Sequence, residues 1–195
     1  MSKTKTIWEN RYKTGGNSGS GSYGVLCDYK AKFINNFIIE NKCKNVIEFG
    51  SGDGNQMSYF KVEKYTGVDI SEYIINICKN KYKHLVNKFF LTYDEYYTNI
   101  MSSSTKYDLS LSLDVIYHLV DDDIYEKYMN DLFNSSNKFV IIYSSNHQEK
   151  YNGSHMYPRK FTDYVDLNFP RAKLLYHEPN PYPKSSSAEF FVYQL

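Results

Sequence analysis

The stretch Val46-Ile47-Glu48-Phe49-Gly50-Ser51-Gly52-Asp53-Gly54-Asn55 joins a short apolar run to a turn that carries glycine at every second position. The apolar run reads as a strand. Glycines at 50, 52 and 54 permit positive φ and let a ligand approach the backbone closely. A second apolar stretch, from Tyr65, ends in Asp69, and the interval between Asp53 and Asp69 holds one short helix and one strand. An acid at the tip of the strand that follows a glycine turn can accept both hydroxyls of a ribose. A glycine turn alone is weak evidence; joined to the strand-end acid it predicts a nucleoside-binding α/β unit.

The rest of the chain repeats this alternation. Further strands are predicted at Lys88 to Thr92, Leu109 to Leu113 and Phe139 to Tyr143. Helices are predicted at Tyr29 to Glu40, Asn55 to Tyr59, Glu72 to Tyr82, Glu95 to Met101 and Asp123 to Phe133. Ser71 is placed to cap the third of these, and Asp123 the last, with Glu126 as its capping-box partner. Asp121-Asp122-Asp123 therefore reads as a solvated helix start and not as a metal site. Beyond Tyr143 come an irregular connection, a helix near Phe161 to Leu167, and strands near Lys173 to His177 and Glu189 to Tyr193. The expected architecture is an α/β, Rossmann-like three-layer sandwich with a mostly parallel seven-stranded sheet and an antiparallel C-terminal hairpin. Two parts are expected: an N-terminal segment over 1–28 and the main domain over 29–195.

At 195 residues the chain is long enough to bury a core without disulfides or metals. A formal net charge of +1, from 23 basic and 22 acidic residues, argues against a protein that grips nucleic acid through phosphate contacts. Cys27, Cys43 and Cys78 are odd in number and lack metal-type spacing, so no metal site is expected and a reducing, cytoplasmic setting is. Ile7 and Trp8 lead into polar residues, so no secretory signal is expected, and no run approaches membrane-spanning length. The 21 tyrosines read as compositional bias. The low-complexity run Gly15 to Gly24 has two readings: an unordered tail, or, with Trp8, Arg11, Tyr12 and Tyr23 beside it, a lid over a binding site.

The glycine turn, the acid ending the second strand, Asp94 after the third and Asp114 ending the fourth, closed by a terminal hairpin, resemble the class I methyltransferases that use S-adenosylmethionine. The most specific element is Glu48-x-Gly50-x-Gly52-x-Gly54, because a nicotinamide-binding turn has its last glycine later, as Gly-x-Gly-x-x-Gly. Three further phrases resemble a subgroup associated with glycan or surface-polysaccharide pathways. They are Arg11-Tyr12 with the segment GGNSGSGSYG, Ser112-Leu113-Asp114-Val115-Ile116-Tyr117-His118-Leu119, and Tyr143-Ser144-Ser145-Asn146-His147.

The resemblance implies S-adenosylmethionine as cofactor. Its amino-acid part would lie over Gly50, Gly52 and Gly54, with Glu48 orienting the turn and Asp53 reaching the ammonium group. Asp69 would hold the ribose, Ile70 and Tyr93 would pack on the adenine, and Asp94 would accept from the adenine amino group or else cap the helix before Glu95. If Asp114 opens a helical turn, His118 four residues later lies on the same side, and both reach an acceptor hydroxyl. His118 suits a general base, with Asp114 fixing the imidazole or acting as the base itself. Asn146 and His147 fall on the carboxyl edge of the sheet; His155 and Arg159 follow in the irregular segment; Arg11, Tyr12 and Tyr23 would reach the acceptor from the N-terminal side.

The leading expectation is O-methylation of a small polar acceptor, a sugar or nucleotide-sugar hydroxyl. The alternatives are an N-methyltransferase acting on nucleic acid or protein, and a non-catalytic cofactor-binding module. Against the first of these, Asp114-Val115-Ile116-Tyr117 stands where adenine-amino methyltransferases carry Asp/Asn-Pro-Pro-Tyr/Phe, and Asn180-Pro181-Tyr182-Pro183 comes after a later strand and reads as a turn.

Overall fold

The computed structural model describes residues 2–103, 105–148 and 156–195. Seven strands build one sheet: β1 (Asn45–Phe49), β2 (Lys64–Asp69), β3 (Lys88–Thr92), β4 (Tyr107–Leu113), β5 (Ser136–Ser144), β6 (Lys173–Glu178) and β7 (Glu189–Gln194). Their order is β3-β2-β1-β4-β5-β7-β6; the first five are parallel, and β7 runs antiparallel between β5 and β6. The expected sheet and its terminal hairpin are present.

Side chains alternate across this sheet because successive residues of a strand point to opposite faces. Val46, Ile141, Tyr143, Phe190 and Val192 enter one apolar cluster, whereas Ile47, Val140, Ile142, Phe191 and Tyr193 enter another. The first is covered by α2 (Gly24–Glu40) and α3 (Glu72–Lys81), through Ile34, Phe37, Ile38, Ile74, Ile75 and Cys78. The second is covered by α4 (Tyr93–Tyr96), α5 (Asp122–Asn134) and α6 (Phe161–Asn168), through Tyr96, Tyr128, Met129, Leu132, Phe161 and Val165. Strands buried on both faces read as continuous apolar runs.

Several local expectations give way to tertiary contacts. α2 begins at Gly24 rather than Tyr29, since buried Leu26 and Cys27 extend the apolar stripe of Ala31, Ile34 and Ile38 back into the glycine-serine run. The helix expected over Asn55 to Tyr59 is a single 3-10 turn, Gln56–Tyr59. α3 starts as expected, with the Ser71 hydroxyl accepting from Ile74 N–H at 3.3 Å. α4 is capped by Thr92 in a capping box with Glu95, so Asp94 sits inside the first turn; a wider π-type turn, Tyr97–Met101, continues it. α5 starts at Asp122 and has Asp121, not Asp123, at its cap position.

Asp121 does not cap its own helix. Its carboxylate accepts from Thr4 N–H and the Thr4 hydroxyl, both at 2.8 Å, and so ties down an N-terminal helix, α1 (Lys3–Lys13). α1 packs on α3 through Ser71, whose hydroxyl donates to Glu9 at 2.6 Å, and through a Lys5–Glu72 ion pair of 2.5 Å. The N-terminal segment is thus ordered against the domain. Its face is mostly polar, with Thr4 and Tyr12 its buried residues, which is why hydrophobic periodicity does not announce it. Among the described residues no helix is long and apolar enough to cross a membrane.

The link from this arm to the glycine turn is tight. Gly52 has φ +53, and a Cβ there would collide with the Ser18 hydroxyl and lie 2.9 Å from the Tyr12 hydroxyl. Gly52→Ala is expected to lower stability by more than about 1 kcal/mol in urea unfolding. It should also expose the arm to limited proteolysis; a parent-like cleavage pattern would mean that the arm does not rest on this turn.

Candidate active site

The sheet reverses its winding between β1 and β4, and ligands of open α/β folds bind at the carboxyl ends of strands at such a switch point. After β1 the chain turns at Gly50 (φ +78), whose N–H donates to Val68 at 2.7 Å. A Cβ on Gly50 would clash with Val115 in the segment following β4, so the two strand ends press together. Asp69, at the tip of β2, accepts from Gly52 N–H and Ser71 N–H at 2.9 Å each. Burial still outweighs these bonds and pushes its carboxyl up to about 6. Glu48 lies inside the sheet, is pushed up to about 7 by burial, and accepts from the Tyr65 hydroxyl at 2.5 Å.

At the end of β4, Asp114 adopts φ +60, a left-handed conformation that costs energy for a residue bearing a Cβ. It therefore does not open a helical turn. The turn that follows is a 3-10 segment, Ile116–His118. The strained backbone aims the Asp114 carboxylate at Lys30, a fully buried lysine of α2, at 2.5 Å, while the Tyr117 hydroxyl donates to its other oxygen at 2.8 Å. Lys30 also lies over the Tyr143 ring, 5.3 Å from its centroid. His118 packs edge-on against Trp8 of α1, with ring centroids 5.1 Å apart.

Two cavities open here. The first, about 480 Å³, is lined by Gly50, Asp69, Ile70, Thr92, Tyr93 and Asp94 on the sheet side and roofed by Thr4, Lys5, Trp8 and Tyr12 of α1. Six carboxylates line it, those of Asp69, Glu72, Asp94, Asp114, Asp121 and Asp123, against the lysines Lys5 and Lys127. The second, about 520 Å³, lies between Arg11, the run Ser18 to Gly21, Tyr117 and the loop Pro183 to Ser187. Trp8, Ser18, Asp114 and His118 line both, so these four side chains form the wall between the cavities. Among the described residues, no group of three or more His, Cys, Asp or Glu side chains is arranged to hold a metal ion.

Of the residues expected from sequence, Gly50, Asp69, Ile70, Tyr93, Asp94, Asp114 and His118 meet in the first cavity with Tyr12, and Arg11 faces the second. Asp53 turns away from the first cavity and holds the arm, accepting from Ser18 N–H and the Tyr23 hydroxyl at 2.9 Å each. Tyr23 is spent on that contact; Gly52 abuts Ser18 and Tyr12 and Gly54 abuts Tyr82 and Phe90, and neither glycine lines the cavity. Asn146 hydrogen-bonds Thr162 of α6, and neither it nor His147 lines either cavity. Arg159 also lines neither: it donates to the Leu119 carbonyl, pairs with Asp122 at 2.8 Å and lies over the Tyr125 ring, bracing the start of α5. His155 lies outside the described residues.

Sequence reading missed Lys30 and the loop carrying Lys184, and it named Trp8 and the run holding Ser18 only as parts of a possible lid. Lys30 carries a legible signal, a lysine in line with Leu26, Cys27, Ala31, Ile34 and Ile38 on the apolar side of its helix. The others approach only when the arm and the β6–β7 loop fold over the sheet edge.

Residues 47–134 match the family described as a methyltransferase domain. No curated protein sequence matches the chain. Among solved structures the chain is similar to magnesium protoporphyrin IX methyltransferase from Synechocystis PCC 6803 with bound S-adenosylhomocysteine, at 15% identity over 97% of this chain and 99% of that one, TM-score 0.67. It is also similar to 1,6-didemethyltoxoflavin-N1-methyltransferase from Burkholderia thailandensis, at 12% identity over 97% and 86%, TM-score 0.70. A third is an S-adenosylmethionine-dependent methyltransferase from Clostridium acetobutylicum ATCC 824, at 16% identity over 97% and 96%, TM-score 0.64. The fold is therefore the Rossmann-like methyltransferase fold, with the matched domain spanning both strand ends that form the site.

The buried pair gives a direct test of the geometry. Removing one member of a buried ion pair strands the other, so Lys30→Met is expected to cost about 3 kcal/mol in urea unfolding. Adding Asp114→Asn should recover part of that loss; strictly additive losses would mean the two groups do not interact.

Proposed function

We propose that this chain is an S-adenosylmethionine-dependent methyltransferase that methylates a hydroxyl of a small polar acceptor, a sugar or sugar derivative, with donor and acceptor on opposite sides of the Asp114–His118 wall. The observation that carries the reading is that wall: two cavities of small-molecule size that share Trp8, Ser18, Asp114 and His118.

The first cavity fits the cofactor. Its glycine cradle admits no Cβ at Gly50, its buried Asp69 has the character of a ribose acceptor, and its excess of carboxylates suits a ligand with a sulfonium and an ammonium group. Gly50 would face the amino-acid part, Asp69 the ribose, Ile70 and Tyr93 the adenine, and Asp94 the adenine amino group. When bound, S-adenosylmethionine supplies a methyl group on a sulfonium that departs as a neutral thioether.

The chain's own residues then have to align an acceptor oxygen and take its proton, and alignment is a large share of the acceleration for so activated a donor. His118 is the base in this reading, because an imidazole titrates near neutrality and borders both cavities. Asp114, already paired with Lys30 and Tyr117, acts as a fixed negative charge that orients the site rather than as the proton acceptor. Trp8 and the arm exclude water from the wall. Three buried free thiols, Cys27, Cys43 and Cys78, support a reducing, cytoplasmic setting.

Isothermal titration with S-adenosylmethionine tests the donor half, and absence of binding to folded protein would sink it. The ribose contact needs Asp69 ionised, and burial pushes its carboxyl up to about 6. Affinity should therefore plateau above neutral pH and fall below pH 6 by up to about tenfold per unit, a dependence that Asp69→Asn removes along with most of the binding. For the chemistry, His118→Ala is expected to reduce labelled-methyl transfer by about 10²-fold or more with donor affinity retained. Unchanged turnover would move the base elsewhere.

A further inference from the structure

We propose that the second cavity recognises phosphate, with Arg11 and Lys184 gripping the phosphate of a hydroxyl-bearing phosphomonoester so that a neighbouring hydroxyl faces His118. This rests on the reading that the donor occupies the first cavity.

The two cavities differ in sign. Among the described residues, carboxylates outnumber lysines in the first, whereas the second holds Arg11 and Lys184 against one carboxylate, that of Asp114, whose charge buried Lys30 already balances. Among the described residues neither Arg11 nor Lys184 belongs to an ion pair, although eight such pairs occupy other charged side chains. A cleft whose cations are left unneutralised by the protein raises the local concentration of anions.

Arg11 is also held in place. Its Nε donates to the Asn17 carbonyl at 2.6 Å and its guanidinium lies 5.5 Å from the Trp8 ring centroid, so one edge of the fork is fixed by protein and the terminal nitrogens remain for a ligand. A guanidinium fixed in this way suits the geometry of phosphate oxygens. The loop closing β6 and β7 lines the same cavity; there the Tyr182 carbonyl accepts from Ser185 N–H and Ser186 N–H, a turn that places Lys184, Ser185 and Ser187 on the cavity. A point charge with adjacent hydroxyls supplies donors for several oxygens at once, which a tetrahedral phosphate uses more fully than a planar carboxylate. Trp8 and His118 also line the first cavity, so an acceptor held beside Arg11 borders the donor side.

Trp8 is the chain's single tryptophan and borders both cavities, so its fluorescence reports on either site without any turnover. The experiment titrates protein saturated with S-adenosylhomocysteine with inorganic phosphate, glucuronate and glucose at constant ionic strength. Phosphate should give a saturable change at lower concentration than glucuronate, and glucose none. Arg11→Gln and, independently, Lys184→Gln on its exposed loop should each weaken phosphate binding by about tenfold. Lys184→Gln should bind S-adenosylhomocysteine as the parent does. Glucuronate binding as tightly as phosphate, or both variants binding phosphate like the parent, overturns the proposal. Saturable S-adenosylhomocysteine binding with no phosphate response overturns it while leaving the donor reading intact. The reverse result, phosphate binding that depends on Arg11 and Lys184 without any S-adenosylhomocysteine binding, supports the anion site and defeats the donor reading.

Discussion

The ion pair between Lys30 and Asp114 couples the helix that covers one face of the sheet to the strand end where chemistry would occur. A fully buried ammonium is tolerable only beside a negative partner, and Asp114 reaches it only from a left-handed backbone. Tyr117 completes the carboxylate's hydrogen bonds, and in doing so sets the short turn that delivers His118 to the wall between the cavities. The same lysine charge bears on Glu48, the buried acid before the glycine turn, which burial drives the other way. The tip of β4 and the covering helix are in this way held by one cationic group, and the strain at Asp114 is sustained by the contacts around it.

The N-terminal arm lines both cavities at the carboxyl edge of the sheet. It has little apolar surface of its own and depends on polar anchors at three places: Asp121 at Thr4, Ser71 at Glu9, and Asp53 at Ser18 and Tyr23. Each anchor lies next to a residue of the first cavity, and Ser71 joins Glu9 directly to Asp69. The arm therefore senses the same groups that a donor would contact. Its other side, through Arg11 and the Ser18 to Gly21 run, shapes the cavity of opposite charge. Segregating an acidic space from a basic one across a wall of four side chains favours a cationic donor on one side and an anionic acceptor on the other.

Residues 46–49, 65–69, 88–92 and 109–113 were legible as strands because each is a short stretch rich in apolar residues between turn or helix signals, although β3 stands at the sheet edge with Phe89 exposed and β4 alternates leucine with serine; the glycine spacing after Phe49 distinguished this turn from a dinucleotide-binding one. Ser71 was legible as a cap because nothing distant competes for its backbone partner, Ile74. Asp123 misled for the opposite reason. Thr4 of α1 engages Asp121, and the helix starts at Asp122; of the two readings of Asp94, the cap falls to Thr92, while Asp94 itself lines the first cavity. Arg159 carried the right charge for an anion but lies on Asp122 and two tyrosine rings, whereas Arg11 and Lys184 line the cavity.

The order of strands, the glycine turn, the acid at Asp69 and the identity of the groups at 114 and 118 are local properties, written in periodicity, in glycine's access to positive φ and in strand-end position. The partners of those groups are not local. Lys30 meets Asp114 across 84 positions of chain, and Trp8 meets His118 only after α1 docks on α3. Burial, charge balance and the division into two cavities arise from such long-range approaches, because desolvation and electrostatics depend on what lies nearby in space and not along the chain.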